Sequence, residues 1–182
     1  MMRRILAILS LLCLLATYAQ AQSSTTVTQV VDLSLTNTIV LKFTATNSTS
    51  GSAVSLPIST VSNYTSGVTS STYQLSASST KAFNIAVKSN ASNFTYTGSY
   101  TTGTTMPVSG SLSVQVTANS TGGSIANNFN SYQSVTSSNQ NILTGCTSGS
   151  SKLFSIQYRA NPSMSYPAGT YTTSVVYTAT QQ

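Results

Sequence analysis

The sequence predicts an all-β chain in which two antiparallel sheets pack face to face as a β-sandwich. Three observations carry this. Apolar and polar residues alternate with period two in one stretch after another, so that each stretch buries one face as a strand. Clusters of Gly, Asn, Ser and Thr separate these stretches at short intervals, where a chain must reverse. Finally, 40% of the residues are hydrophobic while only 4% are charged, which gives the chain a core that a disordered polar tail would lack.

The first element is a leader. Arg3 and Arg4 precede an apolar run from Ile5 to Leu15, and Ala19-Gln20-Ala21 supplies the small residues that signal peptidase reads. Residues 1–21 are therefore expected to be a cleaved secretory signal. An uncleaved anchor is the weaker alternative, because the run falls well short of the ~20 apolar residues that span a bilayer. Lipidation of Cys13 would need small residues before it, and Leu11 and Leu12 stand there. Residues 22–182 then make a single domain, secreted or displayed at the cell surface, with no membrane span in the mature chain.

Val27, Val31, Leu33 and Leu35 share one face of an extended segment that follows a polar run. By period alone this is the first strand of the chain's own sheet. Further alternating stretches run through Ile39, Leu41 and Phe43, through Phe83, Ile85 and Val87, through Leu112, Val114 and Val116, and through Phe154, Ile156 and Tyr158. The last opens at the turn Pro167-Ala168-Gly169 and carries Tyr171, Val175, Tyr177 and Ala179 inward. About nine or ten short strands are expected, with no helix after the signal; the stretch from Ser62 to Gly67, SNYTSG, reads as one of the turns. No fixed-period repeat is visible, which disfavours a solenoid or propeller.

The least regular part runs from Asn119 to Ser151. It holds Phe129 and Tyr132 among Asn127, Asn128, Asn130 and Gln133, and aromatic faces beside amides suit a sugar, so these two are the candidate ligand-loop residues. The plainer reading is a long loop pinned by two aromatics. Cys146 is the one cysteine beyond the signal. It reads as a small loop residue or as one half of an intermolecular disulfide, since a single thiol closes no internal loop.

The inventory of reactive groups is short. The chain has no His and a single carboxylate side chain, Asp32, so general acid-base catalysis, paired-carboxylate glycoside hydrolysis, His-based triads and most metal sites lack their groups. No catalytic, cofactor-binding or metal residues are expected, and no enzyme. Ser78 and Lys81 have the Ser-x-x-Lys spacing of a serine nucleophile with a lysine base, but that motif opens a helix and this one leads into a strand. A Lys-Asn isopeptide staple would need a buried carboxyl, for which only Asp32 is available. Five Asn-x-Ser/Thr sequons, at Asn47, Asn63, Asn90, Asn93 and Asn119, follow from a composition in which Ser and Thr exceed a third.

Lys42, Lys81, Lys88, Lys152 and Arg159 are scattered singly, whereas a nucleic-acid site gathers its cations into a patch. A surface with so little charge repels its own copies weakly, which favours self-association.

The closing stretch, YPAGTYTTSVVYTAT, resembles the last strand of secreted bacterial β-sandwich surface proteins: pilin subunits of the chaperone-usher and spore-coat-U type, and WxL cell-surface domains. In pilins a Gly near the end opens an alternating strand, as Gly169 does here. The sequence departs from the pattern at Gln181, where pilins usually place Tyr, in lacking the common pilin disulfide, and in having no WxL tryptophan. The resemblance implies an immunoglobulin-like sandwich and a non-catalytic structural or adhesive role, that of a fimbria-like fibre subunit. Pilin-type folds lack a strand and take it from the N-terminal extension of the next subunit. Residues Val27, Val31, Leu33 and Leu35 would be that exchanged segment. The alternative function is a secreted carbohydrate-binding module that presents Phe129 and Tyr132 to a glycan.

Overall fold

The computed structural model describes residues 25–182; the expected signal and Cys13 lie outside the described residues. Residues 25–38 carry no strand, and within them Val27, Val31, Leu33 and Leu35 are between 79% and 90% exposed. Asp32 is exposed on the same segment. The expectation that this segment is strand one is thereby corrected: the first strand, β1, is Ile39–Phe43.

Thr36–Gln182 form one compact unit that is nearly all β. After β1 come a short helix α1 (Val61–Ser66) and strands β2 (Val68–Thr69), β3 (Tyr73–Ser79), β4 (Phe83–Ser89), β5 (Thr95–Thr97) and β6 (Leu112–Ser120). The chain continues through β7 (Ser124–Ile125), β8 (Gln133–Ser134), β9 (Gln140–Cys146), β10 (Gly149–Ala160), β11 (Thr170–Thr172) and β12 (Val175–Gln181). Every pairing is antiparallel. The larger sheet has the order β1-β3-β10-β6-β8, with β2 against the end of β10. The smaller sheet has the order β12-β4-β9-β7, and β5 pairs with β11 as a separate ribbon.

Alternation places the core. Leu75 and Ala77 of β3, Val114 and Val116 of β6 and Phe154 and Ile156 of β10 meet Phe83, Ile85 and Val87 of β4 and Ile142 and Leu143 of β9 in one buried cluster. Each fully buried Val, Leu, Ile or Phe contributes about 1.5–3 kcal/mol relative to exposure, so this shared cluster is the main stabilising feature of the unit. No helix among the described residues is long and apolar enough to cross a membrane.

Three further expectations are corrected. The stretch read as a turn is α1, which starts with a capping box: Asn63 N–H donates to Thr60 Oγ1 (3.2 Å) while Thr60 N–H donates to Asn63 Oδ1 (3.1 Å). It ends at Gly67, whose φ of 75° turns its N–H back onto Asn63 O. The region from Asn119 to Ser151 is not an irregular loop, because β9 runs through it as an inner strand of the smaller sheet. Register shifts between Phe83, Ile85 and Ala86 of β4 break the period there and bring the consecutive Ile142 and Leu143 both into the core. Cys146, at the end of β9, is not a loop residue but is 0% exposed. An intermolecular disulfide would require the domain to open.

Candidate functional site

Along the flank formed by β1 and β12 the core is only partly covered. The inner strand β4 alternates between buried and half-buried residues, whereas β12 alternates between half-buried and exposed ones. Val175, Tyr177 and Ala179 pack on the core without being enclosed by it, as do Ile39, Leu41 and Phe43 across from them. The two strands approach here: the rings of Phe43 and Tyr177 meet edge to face at 6.4 Å, and Gln181 Nε2 donates to Thr38 O at 2.9 Å.

The hydrogen bonds decide which backbone groups this flank leaves open. Gln182 N–H donates to Ala82 O and Asn90 N–H to Ser174 O, each at 2.9 Å. In an unshifted antiparallel ladder bonded pairs alternate, so Val176, Thr178 and Thr180 face β4. The N–H and C=O groups of Val175, Tyr177 and Ala179 therefore point to the other side, where no strand pairs with β12. The same argument applies to β1. Thr80 N–H donates to Thr38 O and Thr44 N–H to Gln74 O, which turns the backbone of Ile39 and Leu41 outward; Phe43 N–H, on that side, is taken by Ser48 O at 2.9 Å. Two strand edges thus border a strip of half-buried apolar side chains, and apart from the Phe43–Ser48 bridge neither edge has a backbone partner among the described residues.

Beneath the strip, Tyr177, a half-buried residue, donates its hydroxyl to Tyr158 Oη at 3.0 Å. Burial pushes the Tyr158 phenol up to about 12 and holds the Tyr177 phenol well above the usual tyrosine range. Both stay neutral donors at any physiological pH. The charge arrangement is equally plain: Thr36–Gln182 contain all five cations that follow the leader and no carboxylate side chain, and Asp32 lies on the N-terminal segment.

The predicted ligand-loop residues Phe129 and Tyr132 belong to neither strand of this flank, whereas Ser78 pairs with Val40 of β1. Phe129 is 1% exposed and belongs to the core, so it presents no ring face to a ligand. Tyr132 is half-buried, donates to Gln157 Oε1 at 2.8 Å and lies 5.7 Å beneath the Arg159 guanidinium. The neighbouring amides are also spent: Asn127 Nδ2 donates to Asn141 O (2.9 Å), and Gln140 Nε2 to Ser134 O (3.1 Å) while its Oε1 accepts from Thr136 N–H (3.0 Å). These groups hold the chain rather than wait for a sugar. Ser78 Oγ accepts from Ser151 N–H at 3.1 Å, and Lys81 lies exposed in the turn after β3.

Sequence reasoning missed a concentration of tyrosines at one end of the unit. Five of the ten, Tyr64, Tyr96, Tyr100, Tyr166 and Tyr171, gather around the β5–β11 ribbon and α1. Their signal was spread over more than a hundred residues of sequence, and only the fold brings them together. No protein-family model matches the chain, and comparison with curated proteins finds no match.

Proposed function

We propose that the chain is a non-catalytic subunit of a bacterial surface structure, exported by its leader, with an immunoglobulin-like β-sandwich as its body and strand exchange as its means of assembly. The observation that carries this reading is a complementarity within one chain. The β1–β12 flank offers two edges that are open apart from the Phe43–Ser48 bridge, together with an apolar strip, and residues 27–35 offer an exposed segment outside any strand in which Val27, Val31, Leu33 and Leu35 would share one face if extended. A segment of nine residues is long enough to lie along the seven residues of β12. Seated there, its backbone would satisfy the open groups of Val175, Tyr177 and Ala179, and its apolar face would cover Leu41 and Tyr177. The occupant is the segment of a second copy, which turns pairing into a chain of subunits.

The test compares the mature protein with a variant lacking residues 25–35. In sedimentation the mature protein should form a ladder of oligomers, and the variant should stay monomeric yet bind a synthetic peptide of residues 25–36. Replacing Leu33 and Leu35 with Asn should abolish both assembly and peptide binding. A mature protein that remains monomeric at high micromolar concentration, or a variant that oligomerises equally well, would remove the basis for the reading.

A further inference from the structure

We infer that a cleft at the tyrosine-rich end, between Tyr64 of α1, the turn Ser109–Ser111 before β6 and the loop Asn161–Tyr166 after β10, is a binding site for a neutral saccharide. The cleft has a volume of about 440 Å³, within the range of small-ligand sites. No charged side chain lines it. That disfavours phosphorylated, sulfated and carboxylated ligands, which need a cation, and amines, which need an anion.

What lines it instead is suited to a sugar ring. Tyr64 and Tyr166 supply aromatic surface for the apolar C–H face, with hydroxyls at the ring ends. Among the described residues the side chains of Tyr64, Tyr166, Asn161 and Ser111 make no hydrogen bond within the protein, which sets this cleft apart from the amides around Tyr132. Ser111 lines the cleft, and its hydroxyl, which has no protein partner, is open to solvent there and free to bond a ligand.

The walls are held in place before a ligand arrives. Asn161 N–H donates to Ser111 O at 2.9 Å and ties two walls together. Behind Tyr166, the Tyr171 ring stands edge-on at 6.5 Å, its hydroxyl donating to Pro167 O at 2.9 Å, and Tyr96 donates to Ala168 O at 2.9 Å. Such preorganisation lowers the ordering cost of binding. A proline-rich peptide also stacks on tyrosines, but it brings few donors for the free amide and hydroxyl oxygens, whereas a sugar brings one on nearly every carbon.

The site lies apart from the β1–β12 flank, so it is tested without reference to assembly. The mature protein would be screened on an array of neutral and anionic glycans. Tetrasaccharides of β-1,4-glucose, β-1,4-N-acetylglucosamine, α-mannose and β-galactose would then be titrated by calorimetry up to about 10 mM, where even weak single-site binding is measurable. At least one neutral glycan should bind, with an affinity unchanged between about 0.05 and 0.5 M salt. Tyr166→Ala and Tyr64→Ala should each weaken it about tenfold or more, Ser111→Ala less, and Tyr132→Ala not at all, with melting temperatures of the Tyr64 and Tyr166 variants close to that of the parent. The inference fails if no neutral glycan binds, if binding is confined to anionic glycans and is salt-sensitive, if a proline-rich peptide binds while glycans do not, or if the Tyr64 and Tyr166 variants bind as the parent does.

Discussion

Cys146 shows how much one residue's setting alters its chemistry. With its side chain fully enclosed, burial pushes the thiol upward from its ordinary range, so the reactive thiolate is suppressed. In the native state it should resist thiol reagents, with modification only on unfolding. Cys146→Ser places a hydroxyl in this apolar setting and should cost about 1–3 kcal/mol, which at roughly 2–4 °C per kcal/mol is a readily measured fall in melting temperature. An unchanged melting temperature would contradict the buried placement. The Tyr158–Tyr177 pair makes a second prediction. Folded phenols with raised pKa values keep protons that the unfolded chain releases above about pH 10, so their stabilisation is complete below pH 10 and lost as pH rises toward about 12. Melting temperature should fall across that window, and Tyr158→Phe with Tyr177→Phe should flatten the fall. Gly169, singled out by resemblance to pilins, has a local reason to be Gly: a Cβ there would drive into the Tyr96 ring.

At the scale of elements, what the sequence reveals depends on whether period two survives folding. β4, β6 and β12 were legible because each keeps strict alternation over five residues or more, and β1 and β10 because apolar residues recur at every second position through Ile39, Leu41 and Phe43 and through Phe154, Ile156 and Tyr158. β9 was hidden by its bulges, β2, β7 and β8 are two residues long and carry no period, and α1 is too short for a helical stripe, although Thr60 and Asn63 spelled out its cap. The inward set of β12 could be read directly, but not that its other edge is free, because strand order is a property of the fold. Likewise nothing in the sequence near Phe129 distinguishes a core plug from an exposed ring. Two truncations follow from this topology. A chain ending at Pro167 loses β11 and β12, which exposes β4 along its whole length, and should show no cooperative unfolding by circular dichroism. A chain beginning at Thr36 keeps every strand and should melt within a few degrees of the mature protein.

Across the whole molecule, the composition that suppresses charge also decouples folding from acid. Thr36–Gln182 have no Asp, Glu or His, so no side chain in the unit changes protonation between about pH 3 and pH 8, and the slope of stability with pH is close to zero there. Calorimetric melting temperatures should be level from about pH 3 to pH 8; a steep acid limb would mean that the N-terminal segment or an association equilibrium contributes to stability. The lone exposed Asp32 has another consequence, for proteolysis. An endoproteinase specific for acidic side chains finds one site in the entire sequence, and it lies between Val31 and Leu33 in exposed backbone outside any strand, the kind of segment such enzymes accept. A single scission there would split the alternating segment in two and leave the folded unit whole. If a neighbouring subunit clasps that segment, the bond should become resistant as assembly proceeds, so the rate of one cut reports how much of the segment is engaged.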